Sequence, residues 1–456
     1  MDTKSKSQQC AEELAALFSP GFTSTSLLQV IEQGALSKCS VRSVVWMYFL
    51  EVFSHPDSPE KWNLDAARDD YYTQRRTIIV KDPSLDAGDP LSTSPDCEGL
   101  WEKHFRNQRI LSLIRKDLNR LHFTNDILER PEVKEALEEI LLLFAISTSD
   151  DLESEHCNYR QGMHELVACL LWVRFDNAVN EGSDWKGSKD RPISSQHWAP
   201  IASHLLDINH FAADAYLMFS KLMEYMLPWF INSKETTSSS DDFLNLDPLE
   251  VLKNSKKKEE IGGAVNSAAM QTMSVLGKRN PAIVAHLEQS DIPPHLFLIP
   301  WLRLLFLRQF HLQDCLKLWD VIIAYTPIVI VPYIASAMIE YLSADLIAMG
   351  YNQILRRLMS FPPVEDPFTF ALHALDVRFP NRACKKKLKK PVEPVSAVPV
   401  VIPKQQQQPS SKVKRLDSCL FYLIETVAGS EDGRVAVENV QKVIDELRLL
   451  RDELAR

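Results

Sequence analysis

Two short segments of this 456-residue chain carry side chains suited to phosphoryl chemistry. Ile114-Arg115-Lys116-Asp117-Leu118-Asn119-Arg120 has the form I-x-x-D-x-x-R, and Tyr159-Arg160-Gln161-Gly162 has the form Y-x-Q-G. An arginine can neutralise charge developing on a transferred phosphoryl group, and a glutamine can orient the attacking water; GTP hydrolysis needs both. In a helical first segment, Asp117 neighbours both Ile114 and Arg120. The carboxylate can then fix the guanidinium while Ile114 anchors the turn in the core. The plainer alternative is a surface ion pair worth roughly a few tenths of a kcal/mol. In the second segment, Gly162 permits backbone geometry and a close approach that a side chain would block. Gln161 is left at a loop end, able to reach a bound molecule. An ordinary loop-to-helix junction with a packed Tyr159 is the alternative there.

The elements that must position these residues read as helices. The chain has only 13 glycines, where average usage would give roughly 32. Apolar residues recur at three- and four-residue spacing over 101–121 and 133–147, the mark of amphipathic helices. Residues 163–175 are densely apolar and predict a buried helix opening after Gly162, and 212–230 predicts another. A short amphipathic pattern covers 11–18, within an N-terminal segment 1–25. The domain core is expected from 26 to 379, with polar loops at 82–97 and 177–195 and a mobile insertion at 233–260. Residues 380–415 form a basic and Pro/Gln-rich linker, including the basic run 382–390, and 416–456 predict a helical tail. The uncharged stretch 321–339 nearly reaches membrane-spanning length, but Pro327, Pro332 and flanking Asp320 and Glu340 point to two buried helices broken near the prolines.

Composition excludes several function classes. A net charge of -10 and pI near 5.7 argue against nucleic-acid binding. Eight scattered cysteines without a C-x-x-C pair read as free thiols in a reducing compartment, not a zinc site. His164-Glu165 begins like a zincin helix, but Ala168 occupies the second histidine position. Residues 182–188 approximate a phosphate-binding loop, but Ser188 stands where the lysine is needed. The chain therefore reads as having no nucleotide site, metal or cofactor of its own.

The paired motifs resemble the dual-finger signature of the TBC domain, the Rab GTPase-activating module. Further blocks carry the same resemblance: Arg42-Ser43-Val44-Val45-Trp46, like the family's R-x-x-V-W segment; Trp301 to Phe310, like W-x-x-L-F-x-R-x-F; and Leu318-Trp319-Asp320, like L-W-D. It covers about residues 26–379, and within the family is nearest a subgroup sharing His164-Glu165-Leu166, Asp89-Pro90-Leu91 and Pro228-Trp229-Phe230. The resemblance implies an all-α domain of two helical lobes with a groove between them. It implies that Arg120 enters a GTP-bound Rab in trans while Gln161 positions the water, with Ile114, Asp117, Tyr159 and Gly162 in support. Magnesium would belong to the GTPase complex. Arg42, Trp46 and Leu91 are the expected partner-binding residues, and retromer or related endosomal sorting machinery is the expected further partner. The expected location is cytoplasmic, with peripheral recruitment to endosomal membranes and no transmembrane span. The competing reading is a catalytically silent helical scaffold for a Rab or a sorting complex.

Overall fold

The computed structural model of the chain describes residues 5–18, 23–54, 63–79, 95–121, 126–148, 158–179, 193–231 and 263–382. These contain seventeen α-helices and no strand. The first nine are α1 (Lys6–Phe18), α2 (Ser24–Glu32), α3 (Arg42–Phe49), α4 (Leu64–Ile78), α5 (Pro95–Leu118), α6 (Pro131–Ser147), α7 (Met163–Asn177), α8 (Ile193–Leu205) and α9 (Phe211–Phe230). The other eight are α10 (Ala264–Arg279), α11 (Pro281–Gln289), α12 (His295–Arg303), α13 (Leu312–Ala324), α14 (Pro327–Tyr341), α15 (Ser343–Ile347), α16 (Tyr351–Met359) and α17 (Phe368–Arg378).

Packing falls into two groups around one continuous apolar core. α4 to α7 pack on one another and on α9, while α10 to α17 pack mainly among themselves. α9 joins the groups, touching α6 and α7 on one side and α10, α12 and α14 on the other. α3 is a second joint, between α7 and α13. The core reaches further towards the N-terminus than residue 26, because α1 buries Cys10, Leu14 and Phe18 and packs against α8.

The 321–339 stretch divides between α13 and α14 at Tyr325-Thr326. Pro327 sits in the first turn of α14, where its missing N–H costs no helical bond; Pro332 lies inside the helix. No helix among the described residues is long and apolar enough to cross a membrane. The 233–260 insertion, the 383–390 part of the basic run and the 416–456 tail lie outside the described residues. Arg382 is described, and it is a packing residue. Its Nη1 lies 3.3 Å from Glu32 Oε2 and its Nη2 donates to Asp376 Oδ1 at 2.9 Å.

A buried triad fastens three helices of the first group. Arg68 on α4 donates through Nε and Nη2 to the two Asp214 oxygens of α9, both at 2.8 Å. Arg174 on α7 donates to Asp214 Oδ2 at 2.9 Å. Burial raises the Asp214 pKa, but the two guanidiniums outweigh it and the carboxyl stays below its ordinary value. Asp214→Asn leaves two buried guanidiniums uncompensated and is expected to cost about 3–5 kcal/mol, read by urea denaturation. A loss below about 1 kcal/mol would mean that the site hydrates instead.

Candidate functional site

α5 ends at Leu118, and Asn119 and Arg120 form the turn that closes it. The Arg120 N–H bonds the Asp117 carbonyl at 3.0 Å, while its side chain is exposed. Ile114 is fully buried beneath that turn. Asp117 does not pair with Arg120; its Oδ2 accepts from the Tyr159 hydroxyl at 2.7 Å. The aspartate therefore fixes the second motif and leaves the guanidinium uncommitted. This one bond joins residues placed three before Arg120 and two before Gln161.

Gln161 is exposed on the turn leading into α7. Gly162, next to it, is buried with φ 101°, in the left-handed region that a side chain rarely tolerates. A Cβ there would lie 3.0 Å from Leu304 Cδ2 and 3.5 Å from a Phe230 ring carbon. Gly162→Ala is therefore expected to destabilise the protein by about 1–3 kcal/mol and to displace Gln161. A variant that melts like the wild type would show that the turn can relax.

His164 braces the same turn from inside the protein. Its Nδ1 accepts from the Gly162 N–H at 3.3 Å, which puts the ring proton on Nε2, 3.9 Å from Glu165 Oε1. Burial lowers its pKa, against the raising effect of Asp117 and Glu165, so the ring stays neutral. Glu165 is fully buried and accepts from Arg308 Nε at 2.8 Å. The pair that begins like a zincin helix in the sequence supports the Gln161 turn in the fold. Their spacing after Gln161 was the available signal, and the role became visible only with Arg308 brought in from 143 positions away.

The remaining blocks form the support behind this turn. Leu305 and Phe306, both fully buried, have positive φ of 48° and 68°, a strained conformation held by packing. Trp319 Nε1 donates to the Leu305 carbonyl at 3.1 Å. Its neighbour Asp320 accepts from Trp46 Nε1 at 2.8 Å and lies 3.1 Å from Arg42 Nε. Arg42 and Trp46 are only 6% and 1% exposed. This corrects their expected partner-binding role: both hold Asp320 inside the core. Leu91 lies outside the described residues.

Burial pushes the Asp320 carboxyl up to about 6, against the pull of Arg42 and the Trp46 N–H. The unfolded carboxyl titrates near about 3.9, so in that window the folded state binds the extra proton and stability falls as pH rises. Asp320→Asn removes this slope. Wild type is expected to lose ground to Asp320→Asn between about pH 4 and 6, by at most about 3 kcal/mol. Urea titrations showing a constant difference would contradict the raised value.

Among the described residues no cluster of three His, Cys, Asp or Glu side chains could hold a metal ion. The side chains of Arg120 and Gln161 make no hydrogen bond or ion pair among the described residues. The arrangement is thus two uncommitted polar side chains on rigidly braced turns, suited to entering another molecule.

Comparison with known proteins agrees with this architecture. The family model for the Rab-GTPase-TBC domain matches residues 39–347, a span holding both motifs and their support. TBC1 domain family member 5 from Mus musculus is 28% identical over 378 residues, covering 79% of this chain and 43% of that protein. The Homo sapiens protein of that name is also 28% identical, with 79% and 44% covered. Homolog B from Dictyostelium discoideum is 23% identical over 433 residues, with 76% and 41% covered. The chain spans less than half the length of these relatives. In fold it is similar to the Ypt/Rab-GAP domain of Gyp1p, with a TM-score of 0.54, 14% identity, and 82% of this chain and 98% of that one covered. Since the family match takes in well over half of the residues and every block that braces the two turns, this chain belongs to the Rab-GTPase-TBC domain family.

Proposed function

We propose that this chain accelerates GTP hydrolysis by a Rab-family GTPase, supplying Arg120 and Gln161 in trans. The observation that carries this reading is the pair of exposed, uncommitted side chains on segments joined by the Tyr159–Asp117 bond. In the partner's nucleotide site, the planar guanidinium of Arg120 neutralises charge shared between the β and γ phosphates. The Gln161 amide orients the attacking water, the task otherwise done by the GTPase's own glutamine. Magnesium and the nucleotide belong to the GTPase; this chain contributes position and charge. A silent scaffold would not need Arg120 and Gln161 presented together on braced turns, which favours the catalytic reading. Single-turnover GTP hydrolysis over a panel of GTP-loaded Rab proteins tests it. Stimulation of at least one member supports it, and none by an intact protein refutes it.

Action in vesicle traffic at endosomal membranes is part of the same reading, with the 89–91 segment as the recruitment element. Pro90 restricts the backbone, and Leu91 offers a small apolar anchor to a partner such as retromer. Leu91→Glu is expected to weaken recruitment to endosomes in cells while leaving GTPase stimulation in solution unchanged. Loss of both together would assign the segment to the GTPase interface or the core.

A further inference from the structure

The outer face of α5 leads directly to Arg120. Asn107, Ile110 and Ile114 are buried on the inner side, and Phe105, Arg109, Leu113 and Lys116 are exposed on the other. At about 100° per residue these four lie within an arc of roughly 80°. Arg120, in the turn beyond, continues their spacing. Phe105 and Leu113 are 50% and 51% exposed, two large apolar side chains set among the basic ones. Single exposed apolar residues are ordinary; a stripe that alternates them with cations and ends at a finger is less so.

We propose that this stripe is the docking surface for the GTPase, setting the orientation in which Arg120 enters and selecting partners with an acidic, apolar-centred patch beside the nucleotide site. This rests on the assignment of Arg120 as a finger. Geometry then leaves little freedom. Stable interfaces bury about 800 Å² per partner, a disc reaching roughly 16 Å from its centre. Helical rise places Lys116 about 6 Å, Leu113 about 10 Å and Arg109 about 16 Å along the axis from Arg120. A complex centred on the inserted finger therefore covers Lys116 and Leu113 and has Arg109 at its edge, while Phe105, about 22 Å along the axis, is met only by a larger or off-centre interface. The stripe is also basic on a chain of net charge -10, so local complementarity, and not overall charge, would draw an acidic partner surface to it. Arg115 lies off this arc and is paired with Glu138 of α6 at 2.8 Å.

The test is the concentration dependence of single-turnover hydrolysis, using the full chain and the best GTPase of the panel. Leu113→Glu and Lys116→Glu are expected to raise the half-saturating concentration by about tenfold or more, with the rate at saturation kept within about twofold because the fingers are untouched. Lys116→Glu should also flatten the salt dependence of that concentration. Arg115→Glu, off the stripe, is expected to leave it unchanged. Normal saturation by both stripe variants overturns the docking surface while the proposed function stands. So does an equal loss from Arg115→Glu, which would indicate a non-specific charge effect. Stripe variants that saturate normally but lose self-association or binding to anionic vesicles would reassign the face to a second copy or a membrane. If the wild type stimulates no GTPase, the proposed function and the docking surface fall together.

Discussion

Arg120→Lys should remove most of the acceleration even though the charge is retained. An arginine finger supplied in trans is typically worth about 10³–10⁵ in rate. Lysine is a compact, strongly hydrated point charge and lacks the planar fork that reaches two phosphate oxygens at once. The loss should fall on the rate at saturating concentration, with a much smaller change in the concentration needed for half-maximal effect. That split follows from the position of Arg120, which lies in a turn and makes no side-chain bond in the free protein among the described residues. Its replacement therefore disturbs no internal contact described there. Near-full activity of Arg120→Lys on the best substrate would remove the finger assignment, and normal melting of the variant would exclude misfolding as the cause of a loss.

A Rab whose switch glutamine is changed to alanine should remain substantially stimulated by this protein. In a GTPase acting alone, or with an arginine-only activator, that glutamine orients the water and its loss stops hydrolysis. In the proposed mechanism Gln161 takes over that task from outside. Gln161→Ala should therefore fail with either version of the Rab, by about 10² or more, the scale of losing one preorganised polar contact to the transition state. Gln161 is exposed and its side chain makes no bond among the described residues, so the fold should be unaffected. The crossed combinations decide between mechanisms. Full dependence on the Rab's own glutamine, with indifference to Gln161, would leave Arg120 acting alone.

Helix positions were largely legible in the sequence because burial imposes a period. The pattern at 133–147 corresponds to Pro131–Ser147 and that at 212–230 to Phe211–Phe230. The N-terminal pattern was legible too, but its packing was not: amphipathicity marks an apolar face without saying what covers it, and α8 covers this one. Local backbone demands were also readable where one residue dictates them. Gly162 signalled an unusual turn, and it occupies the left-handed region.

The sequence by itself marked which residues could do chemistry, Arg120 and Gln161 in two short motifs, and, through its few glycines and three- and four-residue apolar spacing, the helices that carry them. Only the tertiary structure decided how those groups are held. Helical spacing suggested that Asp117 grips Arg120, yet its carboxylate bonds Tyr159, 42 positions away, and the guanidinium is left available. Arg42 and Trp46 are partner-binding residues by resemblance, yet they are buried and hold Asp320 in the interior, Trp46 lying 274 positions from its acceptor. The reason is physical. A buried polar atom must find a partner, and several can lie within reach of the same side chain. Which one it bonds depends on how the helices pack, which local spacing does not encode.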